Sequence, residues 1–267
     1  MDYLSKLENE SIYIIREAYF KFKNMALLWS IGKDSTTLLW LCRKAFFDKI
    51  PFPVMHIDTT YKFEEMYKFR DKYAKEYNLN LIVEKNEEAL ANGISYETHD
   101  AFTCCHELKT IALIKAIKKY GFNALFVGIR RDEHGIRAKE RYFSPRNESF
   151  EWEYENQPIE LWDHYQKNTE VFEHMRVHPL LHWTEVDIWE YIKRENIPIN
   201  KLYFAKNGKR YRSLGCKPIT TPMISKAVTI DEIINEIKTS KIAERSGRKQ
   251  DKEHANMMQK LRSLGYM

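Results

Sequence analysis

A chain of 267 residues, 43% hydrophobic and 30% charged, is long enough for one large α/β domain with an appendage and is patterned to fold as a globule in water. Its net charge of +5 suits anionic ligands such as phosphates but is too small over this length to imply nucleic acid. No apolar run reaches the length of a bilayer span, the opening "MDYLSKLENESIYIIREAYF" reads as a charged amphipathic helix rather than a cleavable leader, and Cys42, Cys104, Cys105 and Cys216 form no disulfide framework, so a cytoplasmic protein with reduced thiols is expected.

In chain order the periodicity predicts a helix over 1–24, strand 26–31, helix 35–47, strand 53–58, helix 63–77 and strand 79–84. A polar stretch then leads to helix 106–120 and strand 123–128. Strands alternating with helices imply a doubly wound, mostly parallel sheet covered on both faces. Ligands in such sheets bind beyond the carboxyl ends of the strands. Three polar segments fall at those ends: Ser30–Ser35, Asp58–Lys62 and Arg130–Arg141. From 144 to 176 the chain is rich in charge and aromatics without clear period, as a lid or partner surface would be. Thr184 is the expected N-cap of the next helix, with Asp187 completing a capping-box variant. Residues 204–226 read as a basic loop, 230–240 as a helix and 241–267 as a polar tail. Residues 1–200 are therefore taken as an α/β domain and 201–267 as a C-terminal loop and helical segment that closes its site.

The first of the three segments decides the chemistry. "SIGKDS" (30–35) lies between the apolar runs "MALLW" and "TTLLWLC". It is not a Walker A loop, because Leu27 stands where the first glycine belongs and Asp34 follows the lysine. Two readings fit: a helix capped by Asp34 or Ser35, or an anion nest. In the nest, Gly32 lets backbone amides face an oxyanion, Lys33 adds charge, and Ser30 and Ser35 add hydroxyls.

This hexapeptide resembles the PP-loop of enzymes that split ATP between its α- and β-phosphates, with Ile31 in place of the usual first glycine. Within that superfamily, "ESIYIIRE", "PFPVMHIDTTYKFEEMYKFRD", "KYGFNALFVGIRRDEHGIRAKER", "HPLLHWTEVDIWEYI", "RSLGCKPIT" and "AERSGRKQD" resemble the small catalytic subunits of bacterial heterodimeric sulfate adenylyltransferases. They extend from residue 10 to residue 251, nearly the whole chain. The resemblance implies an adenine nucleotide α-hydrolase fold with 1–200 as its PP-loop domain, and AMP transfer from ATP to sulfate, giving adenylyl sulfate and pyrophosphate. It implies magnesium on the nucleotide phosphates and a GTPase regulatory subunit as partner. It places the ATP phosphates on Ser30, Gly32, Lys33, Asp34 and Ser35, with Gly128 beside them and the adenine against His56–Asp58. Asp58 on its own reads equally as a strand-end cap.

"GIRRDEHGIRAKER" packs Arg130, Arg131, Arg137, Lys139 and Arg141 into a short run after a strand. Such a run is usually a solvated face, but at a strand end its guanidinium groups suit a tetrahedral dianion. Arg130 and Arg131 are expected to lead in catalysis and sulfate binding, with Lys33, Lys139 and Arg141 as further catalytic groups. By the same resemblance Arg210, Arg212, Arg245 and Arg248 are assigned to substrate.

The pair Cys104–Cys105 departs from the resembling subunits and is shared with reductases of adenylyl sulfate. A reductase-like activity, or an adenylating sulfurtransferase using Cys104 or Cys105, is therefore the alternative. Ile219 stands three places after Cys216, where a fourth cysteine ligand would belong, and no cysteine follows. Neither an iron–sulfur cluster nor another metal site is expected. A subunit that senses nucleotide without turnover is the non-enzymatic reading.

Overall fold

Helix α1 (Tyr3–Lys21) starts where Asp2 accepts the Ser5 N–H at 2.7 Å, and it buries Leu7, Ser11, Ile14, Ile15 and Ala18 along one face. That spacing of three and four residues is what an amphipathic helix needs to cover a sheet. In the computed structural model, which describes residues 1–155, 157, 160, 174–240, 244–247, 260–261 and 263–265, α1 covers a six-stranded sheet. Its strands are β1 (Met25–Leu28), β2 (Val54–Ile57), β3 (Leu81–Glu84), β4 (Ala124–Phe126), β5 (Phe143–Arg146) and β6 (His174–Val177).

The order across the sheet is β3-β2-β1-β4-β6-β5. All neighbours are parallel except β5, which runs antiparallel to β6 with Ser144 opposite Arg176. The chain works outward from β1 to β3, then returns to the other side of β1 through β4. The crevice between the carboxyl ends of β1 and β4 is thus the topological switch point, where open α/β sheets bind ligands. β1, β2 and β4 are buried throughout, consistent with helices on both faces.

Helix α2 (Lys33–Ala45) follows β1 and α3 (Glu64–Glu76) follows β2. After β3 come two short helices, α4 (Glu87–Ala91) and α5 (Ala101–Cys105). The predicted helix 106–120 is split: one π-helical turn (His106–Ile111) joins α5 to α6 (Ala112–Tyr120), which stops at Gly121 with φ 65°. Helix α7 (Glu185–Glu195) has the capping box expected from Thr184 and Asp187. The 204–226 stretch, read from sequence as loop, carries a small hairpin of β7 (Lys209–Arg210) and β8 (Met223–Ile224), and α8 (Ile230–Thr239) follows it.

The 144–176 stretch read as a lid or partner surface lends its two ends to the sheet, as β5 and β6. Pro145 sits in the outermost strand, where a missing N–H is tolerated. Arg146 and Arg176 are buried on these strands, which is why no apolar alternation announced them. Among the described residues no helix is long and apolar enough to cross a membrane.

Candidate active site

The turn after β1 is built on unusual backbone. Ile31 is buried at φ 66°, a left-handed conformation that a β-branched residue adopts only under constraint. Gly32 is extended and precedes α2 with no side-chain cap. The Lys33 N–H, at the head of the helix, donates to the Tyr203 hydroxyl at 2.8 Å, and the Ser30 and Ser35 hydroxyls lie 3.0 Å apart. Opposite, Gly128 follows β4. A Cβ there would meet the Ser35 nitrogen at 3.0 Å and the Asp34 carbonyl at 3.1 Å, so glycine lets the ends of β1 and β4 close around the first turn of α2.

The crevice so formed is a cleft of about 950 Å³, its open mouth included. Its apolar lining is Leu28, Trp29, Ile57, Val127, Ile129 and Leu214. Its polar lining includes Ser30, Lys33, Asp34 and Ser35, and the cations Lys62, Lys109, Arg137 and Arg245. A flat apolar base and a polyanionic tail are the two surfaces this cleft matches.

Lys33 is 1% exposed, and its ammonium lies 3.2 Å from Asp34 and against Glu244. Burial opposes its charge, but the carboxylates of Asp34, Glu244 and Glu185 together hold its pKa above the ordinary lysine value. Arg130 is completely buried and meets three carboxylates: Asp34 at 2.6 Å, Asp132 and Glu244. It therefore stands one layer behind the cleft wall, reached through Asp34 and Glu244. The same cations keep the buried Glu244 ionised, well below the usual carboxylate range.

The other expected site residues divide. Arg245 lines the cleft, where it and Arg137 hold Glu133 between them, Arg245 at 3.0 Å. Arg131 turns away, one amino group on His182 and the other donating to the Glu140 carbonyl at 3.0 Å. Lys139 and Arg141 are exposed on the surface. Arg210 is tied to Glu236 at 2.6 Å and forms a strut between β7 and α8, while Arg212 forks onto Glu185 at 2.7 Å. Arg248 lies outside the described residues.

His56 and Asp58 are both buried behind the strand end. Burial, aided by the charge of Lys62, pushes His56 down to about 4. The Trp29 carbonyl lies 2.8 Å from Nδ1 and can only accept, so the ring is neutral with its proton on Nδ1. Asp58 accepts from the Thr60 N–H and the Tyr67 hydroxyl, both at 2.8 Å, which is the strand-end capping role.

Three thiols gather behind the cleft, where the cleft-lining Lys109 donates to the Cys105 Sγ at 3.5 Å. Cys105 and Cys216 share one small apolar cluster, and Cys104 packs in the next, with Tyr61 and Tyr96 touching both. All four cysteines are buried and outside any disulfide, and burial together with the neighbouring thiols pushes Cys104 up to about 12. None of the four lines the cleft.

The family described as the phosphoadenosine phosphosulfate reductase domain matches residues 24–222, from just before β1 to the hairpin. Over full length the chain is 43% identical to "Sulfate adenylyltransferase subunit 2" of Bacteroides fragilis (strain YCH46), a match covering 100% of this chain and 98% of the relative. The chain belongs to the sulfate adenylyltransferase subunit 2 family. It is also 44% identical to the protein of that name from Aeromonas hydrophila subsp. hydrophila, with the same coverage. The fold of this family member is shared with two solved structures. One is the phosphoadenylyl-sulfate reductase of Candida auris, with TM-score 0.57 and 18% identity over 83% of this chain and 98% of that one. The other is the FMN adenylyltransferase of Candida glabrata in complex with ATP, with TM-score 0.57 and 21% identity over 82% and 63%.

Sequence reading missed Lys62, Lys109, Tyr203 and Glu244 as lining residues of this subunit 2 family cleft. Lys109 sits on the π-helical turn, a distortion that hydropathy does not encode. Lys62 stands at the end of the Asp58–Lys62 segment already placed at a strand's carboxyl end, so position alone marked it.

Proposed function

We propose that the chain transfers the adenylyl group of ATP to sulfate, forming adenylyl sulfate and pyrophosphate. The observation that carries this reading is the convergence of Lys33, the α2 N-terminus and a ring of cations on the switch-point cleft. The full-length similarity to subunits of that name supplies the acceptor. In this scheme the triphosphate lies along Ser30, Gly32, Lys33 and Ser35, and the base lies on the apolar lining of Ile57, Val127 and Leu214.

A sulfate oxygen forms a bond to the α-phosphorus while the α–β bridging bond breaks, and pyrophosphate leaves with that electron pair. No proton is transferred, so no general base is required. Two anions must be brought together in line, and that is a task for fixed positive charge and positioning. Arg137 and Arg245, converging on Glu133 at the rim, are best placed for the acceptor dianion. The segment after residue 200 closes the site through Tyr203, Leu214, Gly215 and Arg245.

Magnesium is expected to arrive on the nucleotide phosphates and shield their charge. Among the described residues no group of three His, Cys, Asp or Glu side chains is placed to hold a metal ion. The partner is expected to be a second subunit with GTPase activity, and the location the cytoplasm. Use of Cys104 as nucleophile is disfavoured, since the thiolate is the reactive form and burial raises this thiol's pKa.

The test is pyrophosphate release from ATP, assayed with and without sulfate and with and without the partner subunit and GTP. Sulfate-dependent release supports the proposal. Release that ignores sulfate but requires a thiol donor would transfer the chain to the sulfurtransferase reading.

A further inference from the structure

The cleft's anion site already has a tenant. Glu244, on the short 3-10 turn Glu244–Gly247, places its carboxylate against both the Lys33 ammonium and the Arg130 guanidinium. All three side chains are shielded from water, the lysine and arginine almost completely. These are the cations that a phosphate entering the Gly32–Lys33 turn would need.

Charge makes joint occupancy unfavourable. Asp34, Asp132, Glu185 and Glu244 already surround Lys33 and Arg130, and Arg212 forks onto Glu185. A polyphosphate added to this set would place further negative charge in a poorly hydrated site, where like charges repel strongly. Displacing one carboxylate relieves that repulsion, and the four differ in how firmly they are held. Asp34 is part of the first turn of α2. Asp132 accepts the Glu185 N–H at the head of α7 at 2.9 Å, and Glu185 is forked by Arg212. Glu244 belongs to no strand or α-helix; its carboxylate is held by the two cations, and the turn it sits on is tied further where Arg245 meets Glu133.

We propose that Glu244 is a built-in stand-in for phosphate, holding Lys33 and Arg130 paired in the nucleotide-free protein, and that the anionic tail of the nucleotide binds by displacing it. The inference rests on the ATP-site reading above and adds an autoinhibitory contact to it. Displacement also uncovers Arg130, which the Glu244 and Asp34 carboxylates otherwise screen from the cleft. The exchange is anion for anion, so the cations are never left bare.

Calorimetric titration of the full chain with inorganic tripolyphosphate tests this, comparing wild type with Glu244→Gln, Glu244→Asp and Lys33→Ala. Removing the competing charge in Glu244→Gln is expected to tighten binding at least tenfold, Glu244→Asp to stay near wild type, and Lys33→Ala to lose binding. Equal or weaker binding by Glu244→Gln overturns the displacement, since a residue that merely aims the cations loses affinity when neutralised. If tripolyphosphate binds wild type and Glu244→Gln alike, only the displacement fails. If it binds neither, the ATP-site reading fails with it. Should Glu244→Gln not fold, hydrogen exchange on wild type decides: amides of Glu244–Gly247 that exchange faster with tripolyphosphate support the proposal, and unchanged or slower exchange overturns it.

Discussion

Ile31, Gly32 and Gly128 sit within one turn of space, and each uses its backbone differently. Ile31 holds a left-handed φ that costs about 1–2 kcal/mol for an L-residue, yet its side chain is 1% exposed. Ile31→Gly relieves the strain but deletes a buried side chain worth about 2–5 kcal/mol, so burial wins. The expected result in urea denaturation is a net loss of about 1–3 kcal/mol, and a gain in stability would contradict the packing argument. Gly32 has room for a Cβ, its nearest neighbours being 3.5 and 3.6 Å away, whereas Gly128 has backbone at 3.0–3.1 Å. Gly32→Ala should leave the melting temperature nearly unchanged while weakening ATP binding. Gly128→Ala should lower the melting temperature by several degrees, because backbone at that distance must shift. Thermal melts and ATP titration of the two variants separate a glycine the fold needs from one the ligand needs.

At the scale of elements, the strand–turn–helix from β1 to α2 was legible because a short apolar run, a polar turn and a helix period follow one another without interruption. The basic run after β4 was legible only as a cluster. Which of its members face the cleft depends on two 3-10 turns, Arg131–Glu133 and Gly135–Lys139, whose geometry no periodicity announces. They turn Arg137 inward and leave Lys139 on the surface. Arg137→Ala and Arg245→Ala are therefore expected to lower kcat/KM by about 10²–10³, the scale of losing one fixed donor. Lys139→Ala and Arg141→Ala should stay within a few-fold of wild type in steady-state kinetics. The reverse ranking would return the exposed pair to the site. The capping box of α7 was readable in advance, and Thr184→Ala should cost about 1 kcal/mol in chemical denaturation. Strands β5 and β6 escaped because buried Arg146 and Arg176 replace apolar residues on them: the Arg146 Nη1 is held by the Ser144 hydroxyl at 2.8 Å, and the Arg176 Nη2 by the Gly265 carbonyl at 2.6 Å.

Over the whole molecule, the alternation of elements was enough to give the fold class, while the partners of individual charges were not. An ion-pair network such as Lys33–Glu244 joins residues 211 positions apart, a relation set by tertiary folding alone. The same burial sets the response to pH. His56 and His174 are pushed by burial to about 4 and about 3. Unfolded histidine titrates near 6.5, so between that value and the folded pKa the unfolded chain binds protons that the native chain does not. Stability should be nearly constant between about pH 7 and 8 and fall as pH drops from about 6.5 toward 4. The lowered pKa of Glu244 adds to the loss in the lower part of that range, as its unfolded carboxyl begins to protonate near pH 4.5. Melting curves from pH 8 to pH 4 check this, and a melting temperature that rises on acidification would contradict the buried neutral imidazoles.

One cleft that grips ATP through Lys33 and hands its adenylyl group to sulfate must turn both substrates into a single labelled nucleotide. This is tested most directly by supplying radiolabelled sulfate and ATP to the assembled enzyme, with GTP and a pyrophosphatase present, and separating the nucleotides. Label is expected in adenylyl sulfate in step with pyrophosphate formed, and is expected to disappear in a folded Lys33→Ala variant. Label that stays in free sulfate while ATP is consumed, or a Lys33→Ala variant as active as wild type, would contradict it.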